Sequence, residues 1–81
     1  MRVMVRFYAS HREVTGIPEI VLEVQDGITV HSLIELIGTR YPGLRRRTDP
    51  ILVSINKKNV PMDTILSEGD EISLIPPVTG G

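Results

Sequence analysis

No cysteine occurs in the chain, which excludes disulfides, thiol catalysis and cysteine-based zinc sites together. Any sulfur this protein handles therefore has no side-chain thiol to hold it. Tryptophan is absent too, and the aromatic residues are two tyrosines and one phenylalanine, so aromatic anchors are few. No apolar run approaches the ~20 residues of a membrane-spanning helix. The first residues lack the basic-then-apolar layout of a signal peptide. The formal net charge is only -1, so no excess of either sign draws the molecule toward nucleic acid. The expectation is a soluble, cytoplasmic protein with neither a membrane nor a nucleic-acid partner.

The residues that are present specify a folded domain. Hydrophobic residues make up 41% and charged residues 23%, close to ordinary globular usage and too apolar for disorder. With 81 residues, one domain is the only sensible count.

Residues Arg2 to Ala9 alternate, with Val3, Val5 and Phe7 on one face and Met4, Arg6 and Tyr8 on the other, as in a strand. His11 to Pro18 contains Thr15, Gly16 and Pro18 and reads as a hairpin loop. Glu19 to Val24 is a second strand, with Ile20, Leu22 and Val24 on one face, stopped by Asp26-Gly27. Thr29 has the character of a helix N-cap. Val30, Leu33, Ile34 and Ile37 follow at the spacing of an amphipathic helix. Gly38 lies at or near its end, and Pro42-Gly43 closes the region. Ile51 to Ile55 is a third strand, with Ile51, Val53 and Ile55 facing together. Lys57 to Asn59 reads as a turn, Val60 as the start of a short strand, and Met62 to Leu66 as a single helical turn. After the Glu68-Gly69-Asp70 turn, Glu71 to Ile75 is the last strand, with Ile72 and Leu74 on one face.

One helix can bury its stripe only by covering one face of a sheet. The order therefore predicts an α+β fold of the β-grasp, ubiquitin-like kind: a mixed sheet of four to five strands packed on one main helix. The expected division is a domain over residues 1–75 and an extended, flexible tail over 76–81.

The tail reads Pro76-Pro77-Val78-Thr79-Gly80-Gly81. Two prolines have no N–H to extend a ladder and favour a stiff extended form, so the tail is expected to leave the sheet. Six extended residues reach roughly 20 Å. Gly80 and Gly81 lack Cβ atoms and can enter a channel too narrow for other residues. A terminal Gly-Gly alone is more often a frayed end; here the prolines follow the last apolar strand at once and the glycines are the last two residues, which favours a working group. A free carboxylate on Gly81 is a poor acyl donor. Activation by ATP gives an acyl-adenylate, and sulfur attack gives a thiocarboxylate, a nucleophile on the chain end instead of a side chain.

Several segments together resemble the MoaD/ThiS family of sulfur carriers, on its molybdopterin synthase side. They are Val5-Arg6-Phe7-Tyr8-Ala9 followed by Arg12-Glu13-Val14-Thr15-Gly16, then Val53-Ser54-Ile55-Asn56, Glu68-Gly69-Asp70-Glu71, and Pro76 to Gly81. The resemblance spans the chain, and its most specific part is the terminal Pro-Pro-Val-Thr-Gly-Gly. It implies a cycle. A ubiquitin-activating-like adenylyltransferase of MoeB type spends ATP on the Gly81 carboxylate, and a sulfurtransferase system supplies sulfur. The tail, Pro76, Pro77, Val78, Thr79, Gly80 and Gly81, then enters a large synthase subunit of MoaE type and gives sulfur to cyclic pyranopterin monophosphate. No cofactor is expected on this chain, and ATP belongs to the activating enzyme. Tyr8 and Ile75, pointing outward from neighbouring central strands, are the expected partner-docking residues. Arg6 and Asn59 stand where the family often has apolar residues. A carrier for thiamine or tRNA thiolation, a protein modifier conjugated through Gly81, and an interaction module with an inert tail remain alternatives.

Other features read as structural. Arg45-Arg46-Arg47 lacks interleaved aromatics and reads as a solvated loop. His11 and His31 stand alone, without ligand spacing, and read as surface or capping residues, so no metal site is expected. Asp63, Glu68, Asp70 and Glu71 read as turn and strand-end residues. Lys57 and Lys58 read as turn solvation.

Overall fold

The computed structural model describes residues 1–45 and 51–76. The first strand, β1 (Arg2–Phe7), forms where the period-two alternation is cleanest, and Val3, Val5 and Phe7 are all buried. Its antiparallel partner β2 (Glu19–Glu23) runs in a register that sets Val3 opposite Leu22 and Val5 opposite Ile20.

Between them the chain forms a short helix, α1 (Ser10–Thr15), where a hairpin loop was expected. Gly16, at φ 77°, is its left-handed C-cap, and its N–H donates to the Arg12 carbonyl at 2.8 Å. The Thr-Gly signal is real, but it ends a helix instead of making a tight turn. This corrects the reading of His11 as well. In α1 its side chain turns inward and is fully buried, not at the surface.

The main helix α2 (Val30–Arg40) is built as its pattern requires. Thr29 Oγ1 accepts the Ser32 N–H at 3.2 Å, satisfying one orphan donor of the first turn. Val30, Leu33 and Ile37 are buried against the sheet and Ile34 packs beside them. Gly38 is buried within the helix, which runs two residues further. Pro42-Gly43 does not merely close the region. It opens a third short helix, α3 (Pro42–Arg45), with proline at the first helical position. Gly43 packs against α1, and a Cβ there would meet Val14 Cγ1 at 2.7 Å.

The strands β3 (Leu52–Ile55), β4 (Lys58–Asn59) and β5 (Glu71–Ile75) complete a five-stranded sheet of order β2-β1-β5-β3-β4. The β3–β4 turn is tighter than expected. Asn56 and Lys57, at φ 50° and 72°, are its two central residues, so the short strand falls on Lys58–Asn59, ahead of Val60. Both positive φ values are those of the two-residue hairpin that matches strand twist. Met62 to Leu66 is not helical. The chain turns there, with the Thr64 N–H on the Pro61 carbonyl at 3.2 Å, and Ile65 bridges Thr29. The Glu68-Gly69 turn is as expected, with Asp70 accepting the Ser67 N–H at 2.8 Å and Gly69 at φ 80°.

β1 and β5 are parallel neighbours at the sheet centre, and every other pairing is antiparallel. One helix covers one face of a mixed sheet, the β-grasp arrangement that the element order implied. The fully buried Val5, Phe7, Ile72 and Leu74 from the central strands meet Leu33 and Ile37 of α2. Tyr41, at the end of α2, closes over Phe7 edge-to-face, with ring centroids 5.8 Å apart. Among the described residues no helix is long and apolar enough to cross a membrane.

Candidate functional site at the root of the C-terminal segment

The strand that leads to the chain end is a central one. β5 lies between β1 and β3, so Ile75 ends a strand at the middle of the sheet, not at an edge. The last ladder contacts are Leu52 opposite Ile75 and the Tyr8 N–H on the Leu74 carbonyl at 3.3 Å. Pro76 follows, half-buried, and having no N–H it cannot donate to the pairing. The expectations attached to Pro77, Val78, Thr79, Gly80 and Gly81 lie outside the described residues, as do those on Arg46 and Arg47.

Around Pro76, on the sheet face away from α2, three side chains form a row. The alternation that buries Phe7, Leu74 and Val53 turns Tyr8, Ile75 and Leu52 outward. Tyr8 is 42% and Leu52 47% exposed, and Ile75 between them is half-buried. Tyr8 and Ile75 are therefore side by side, as the outward register of two central strands required. Leu52 is a residue that sequence reasoning missed. Its signal was present, because a strand with Val53 and Ile55 inward must turn Leu52 out. What was lacking was the pairing that puts it beside Ile75.

Behind this row the sheet face is charged. Arg6 is flanked by Glu19 at 3.3 Å and Glu71 at 3.4 Å, from the strands on either side. Its guanidinium is held above the ordinary arginine range, first by a side-chain hydrogen bond with Tyr8 and then by the Glu71 charge. The departure from an apolar residue at Arg6 thus has a local reason. The arginine lies between two carboxylates and balances their charge. Asn59 lies in the same face, opposite Ser54. It belongs to a small polar row with Ser73, which also pairs with Ser54.

The result is an apolar strip at the point where the chain leaves, backed by a polar rim. Those are the two parts that a protein–protein contact combines. Several other titratable residues make contacts within the fold. Glu68 accepts the Arg2 N–H, Asp70 ties Ser67 and Asn56, and His31 lies on the surface 3.6 Å from Glu35. Among the described residues no group of three or more His, Cys, Asp or Glu is placed to hold a metal ion.

Comparison with known proteins places the chain among similar proteins along its length. The model of the ThiS family matches residues 5–81. The chain is 33% identical to a Mycobacterium tuberculosis protein named molybdopterin synthase sulfur carrier subunit, over 100% of this chain and 99% of the relative. The crystal structure of SAMP1 from Haloferax volcanii superposes with a TM-score of 0.88 at 25% identity, covering 100% of both chains. A chain from the Helicobacter pylori complex of subunits 1 and 2 of molybdopterin-converting factor superposes with a TM-score of 0.69 at 27% identity, also over 100% of both.

Proposed function

Because this chain belongs to the ThiS family, we propose that it is the sulfur-carrier subunit of a molybdopterin synthase, working through the carboxylate of Gly81. The observation that carries the reading is the pairing of full-length similarity to carriers of that name with a last strand that ends at the sheet centre, where Tyr8, Leu52 and Ile75 lie together.

The chemistry runs in three steps. A Gly81 carboxylate oxygen attacks the α-phosphorus of ATP on an adenylyltransferase of MoeB type, and pyrophosphate leaves. Sulfur at the sulfide level then attacks the acyl carbon, AMP leaves with the bonding pair, and loss of a proton gives the thiocarboxylate. In a large subunit of MoaE type, that sulfur attacks a carbon of cyclic pyranopterin monophosphate, an oxygen substituent of that carbon leaves with the bonding pair, and water then cleaves the resulting thioester, restoring the Gly81 carboxylate and leaving the sulfur on the substrate. The tail from Pro76 to Gly81 acts as a separate reach beyond the domain of residues 1–75, with Gly80 and Gly81 suited to a narrow channel. Tyr8, Ile75 and Leu52 bury against the large subunit. The Helicobacter pylori complex of two subunits supports a partner of that kind. The cycle takes place in the cytoplasm.

A second reading has an observation of its own. The match to SAMP1, a small archaeal modifier protein, supports conjugation through Gly81 to a lysine of another protein. Intact-mass analysis of the chain from its native cell separates the two. The carrier reading predicts a species heavier by about 16 Da, one oxygen replaced by sulfur, which disappears when Gly81 is deleted. Conjugates at the summed mass of two proteins less one water, without that species, support the modifier. Neither species, with function intact after loss of Gly81, overturns both readings.

A further inference from the structure

The opposite side of the sheet carries a feature that the tail chemistry does not use. β2 is an outermost strand and, among the described residues, pairs only with β1. The bonding pattern of that pair is fixed at its ends. The Phe7 N–H donates to the Pro18 carbonyl at 2.8 Å, and the Val24 N–H donates to the Met1 carbonyl at 2.8 Å. With Val3 opposite Leu22 and Val5 opposite Ile20, antiparallel alternation assigns the inward hydrogen bonds to Ile20, Leu22 and Val24. The N–H and C=O groups of Glu19, Val21 and Glu23 therefore point away from the sheet. No proline or bulge interrupts this edge, two devices that would normally blunt it.

Below the edge, between β2 and α2, two depressions run end to end. One, of about 520 Å³, includes Val24, Ile28 and Leu36 in its wall. The other, of about 430 Å³, includes Leu22, Leu36, Ile37 and Tyr41. Leu36 is shared by both and is 45% exposed, and Val21 on the strand itself is 54% exposed. An unpaired strand edge above an apolar groove is the geometry of strand addition, where backbone bonds give affinity and alternate side chains give specificity.

The charges choose the occupant. Antiparallel pairing of β2 with a second copy about Val21 sets Glu19 of each copy opposite Glu23 of the other. The like charges meet twice by symmetry. A strand that carries cations at those two positions meets the same carboxylates favourably. Their side chains are 49% and 79% exposed, and they are held by Arg6 and Arg2. Ion pairs of that kind are weak enough to exchange.

We propose that the β2 edge and the groove beneath it form a second docking site, which takes an extended segment of a partner protein as a sixth strand. The segment carries Lys or Arg opposite Glu19 and Glu23, and large apolar side chains opposite Ile20 and Leu22 that enter the groove beside Leu36. The site shares no residue with the row of Tyr8, Leu52 and Ile75, so it stands or falls independently of the sulfur-carrier reading.

The test uses the full chain and three blocked peptides: Ser-Lys-Leu-Val-Leu-Lys-Ser, the same peptide with Glu for both Lys, and the same peptide with Pro for the central Val. Titration followed by NMR and amide hydrogen exchange is expected to show the first peptide protecting the amides of Glu19, Val21 and Glu23. The acidic and proline peptides, and the Leu36→Glu variant with the first peptide, are expected to bind about tenfold more weakly. Leu36 is partly exposed, and the circular dichroism of the variant checks that the fold is kept. Equal binding of the basic and acidic peptides, equal binding of the proline peptide, or protection centred on Tyr8 and Ile75 overturns the assignment. Protection of the β2 amides that grows with protein concentration alone gives the edge to a second copy and overturns it as well.

Discussion

Ala9 holds a backbone conformation that its side chain disfavours, φ 49° with ψ -123°. It turns the chain from β1 into α1, with the Arg12 N–H on its carbonyl at 3.1 Å and the His11 N–H on that of Tyr8 at 3.0 Å. Glycine meets no penalty there. Ala9→Gly is therefore predicted to stabilise the domain by about 1 kcal/mol, the strain relieved less the entropy that glycine adds. A thermal or denaturant unfolding curve reads this, with a midpoint about 4–8 °C higher for a chain of this size. At this scale the sequence was legible where a residue's chemistry is local. The Thr29 cap and the Gly69 turn need only near neighbours. His11 was not legible, because its burial depends on α1 existing and on how that helix packs.

The elements divide along the same line. α2 could be read because its stripe of Val30, Leu33, Ile34 and Ile37 repeats at one period over several turns. β1, β2 and β5 could be read because alternation and β-branched content agree. α1 is only six residues long, too short for a period to declare itself, and its terminal glycine signals a helix cap and a turn equally well. β4 is two residues long, and its position follows from the conformations of Asn56 and Lys57, which no composition rule assigns to a lysine. The helix face is exposed to a direct check. Leu33 is fully buried, so Leu33→Asp loses a packed side chain and leaves a charge without a partner. The expected cost is about 4 kcal/mol or more, enough to unfold a small domain at ambient temperature. Loss of the circular dichroism signal is the predicted result, and wild-type melting contradicts the assigned face.

At the scale of the whole molecule, sheet order turns separate residues into a site. Tyr8, Leu52 and Ile75 are far apart in the chain and become neighbours only because β1, β5 and β3 are adjacent. Two of the three were legible from alternation, and the third needed the register. Leu52 is 47% exposed, so Leu52→Glu is predicted to leave the melting temperature nearly unchanged. Its association with the large synthase subunit is predicted to weaken about tenfold, the loss of one apolar anchor at an interface. Calorimetry on the purified pair measures it, and unchanged affinity removes Leu52 from the docking row.

The central claim is that the reactive group is the chain end itself. The direct measurement is single-turnover sulfur transfer to cyclic pyranopterin monophosphate by the large subunit, loaded either with the thiocarboxylated chain or with one extended by a single alanine after Gly81. The account predicts transfer of one sulfur per carrier from the first and none from the second, with both chains folded alike. Equal transfer from the extended chain contradicts it.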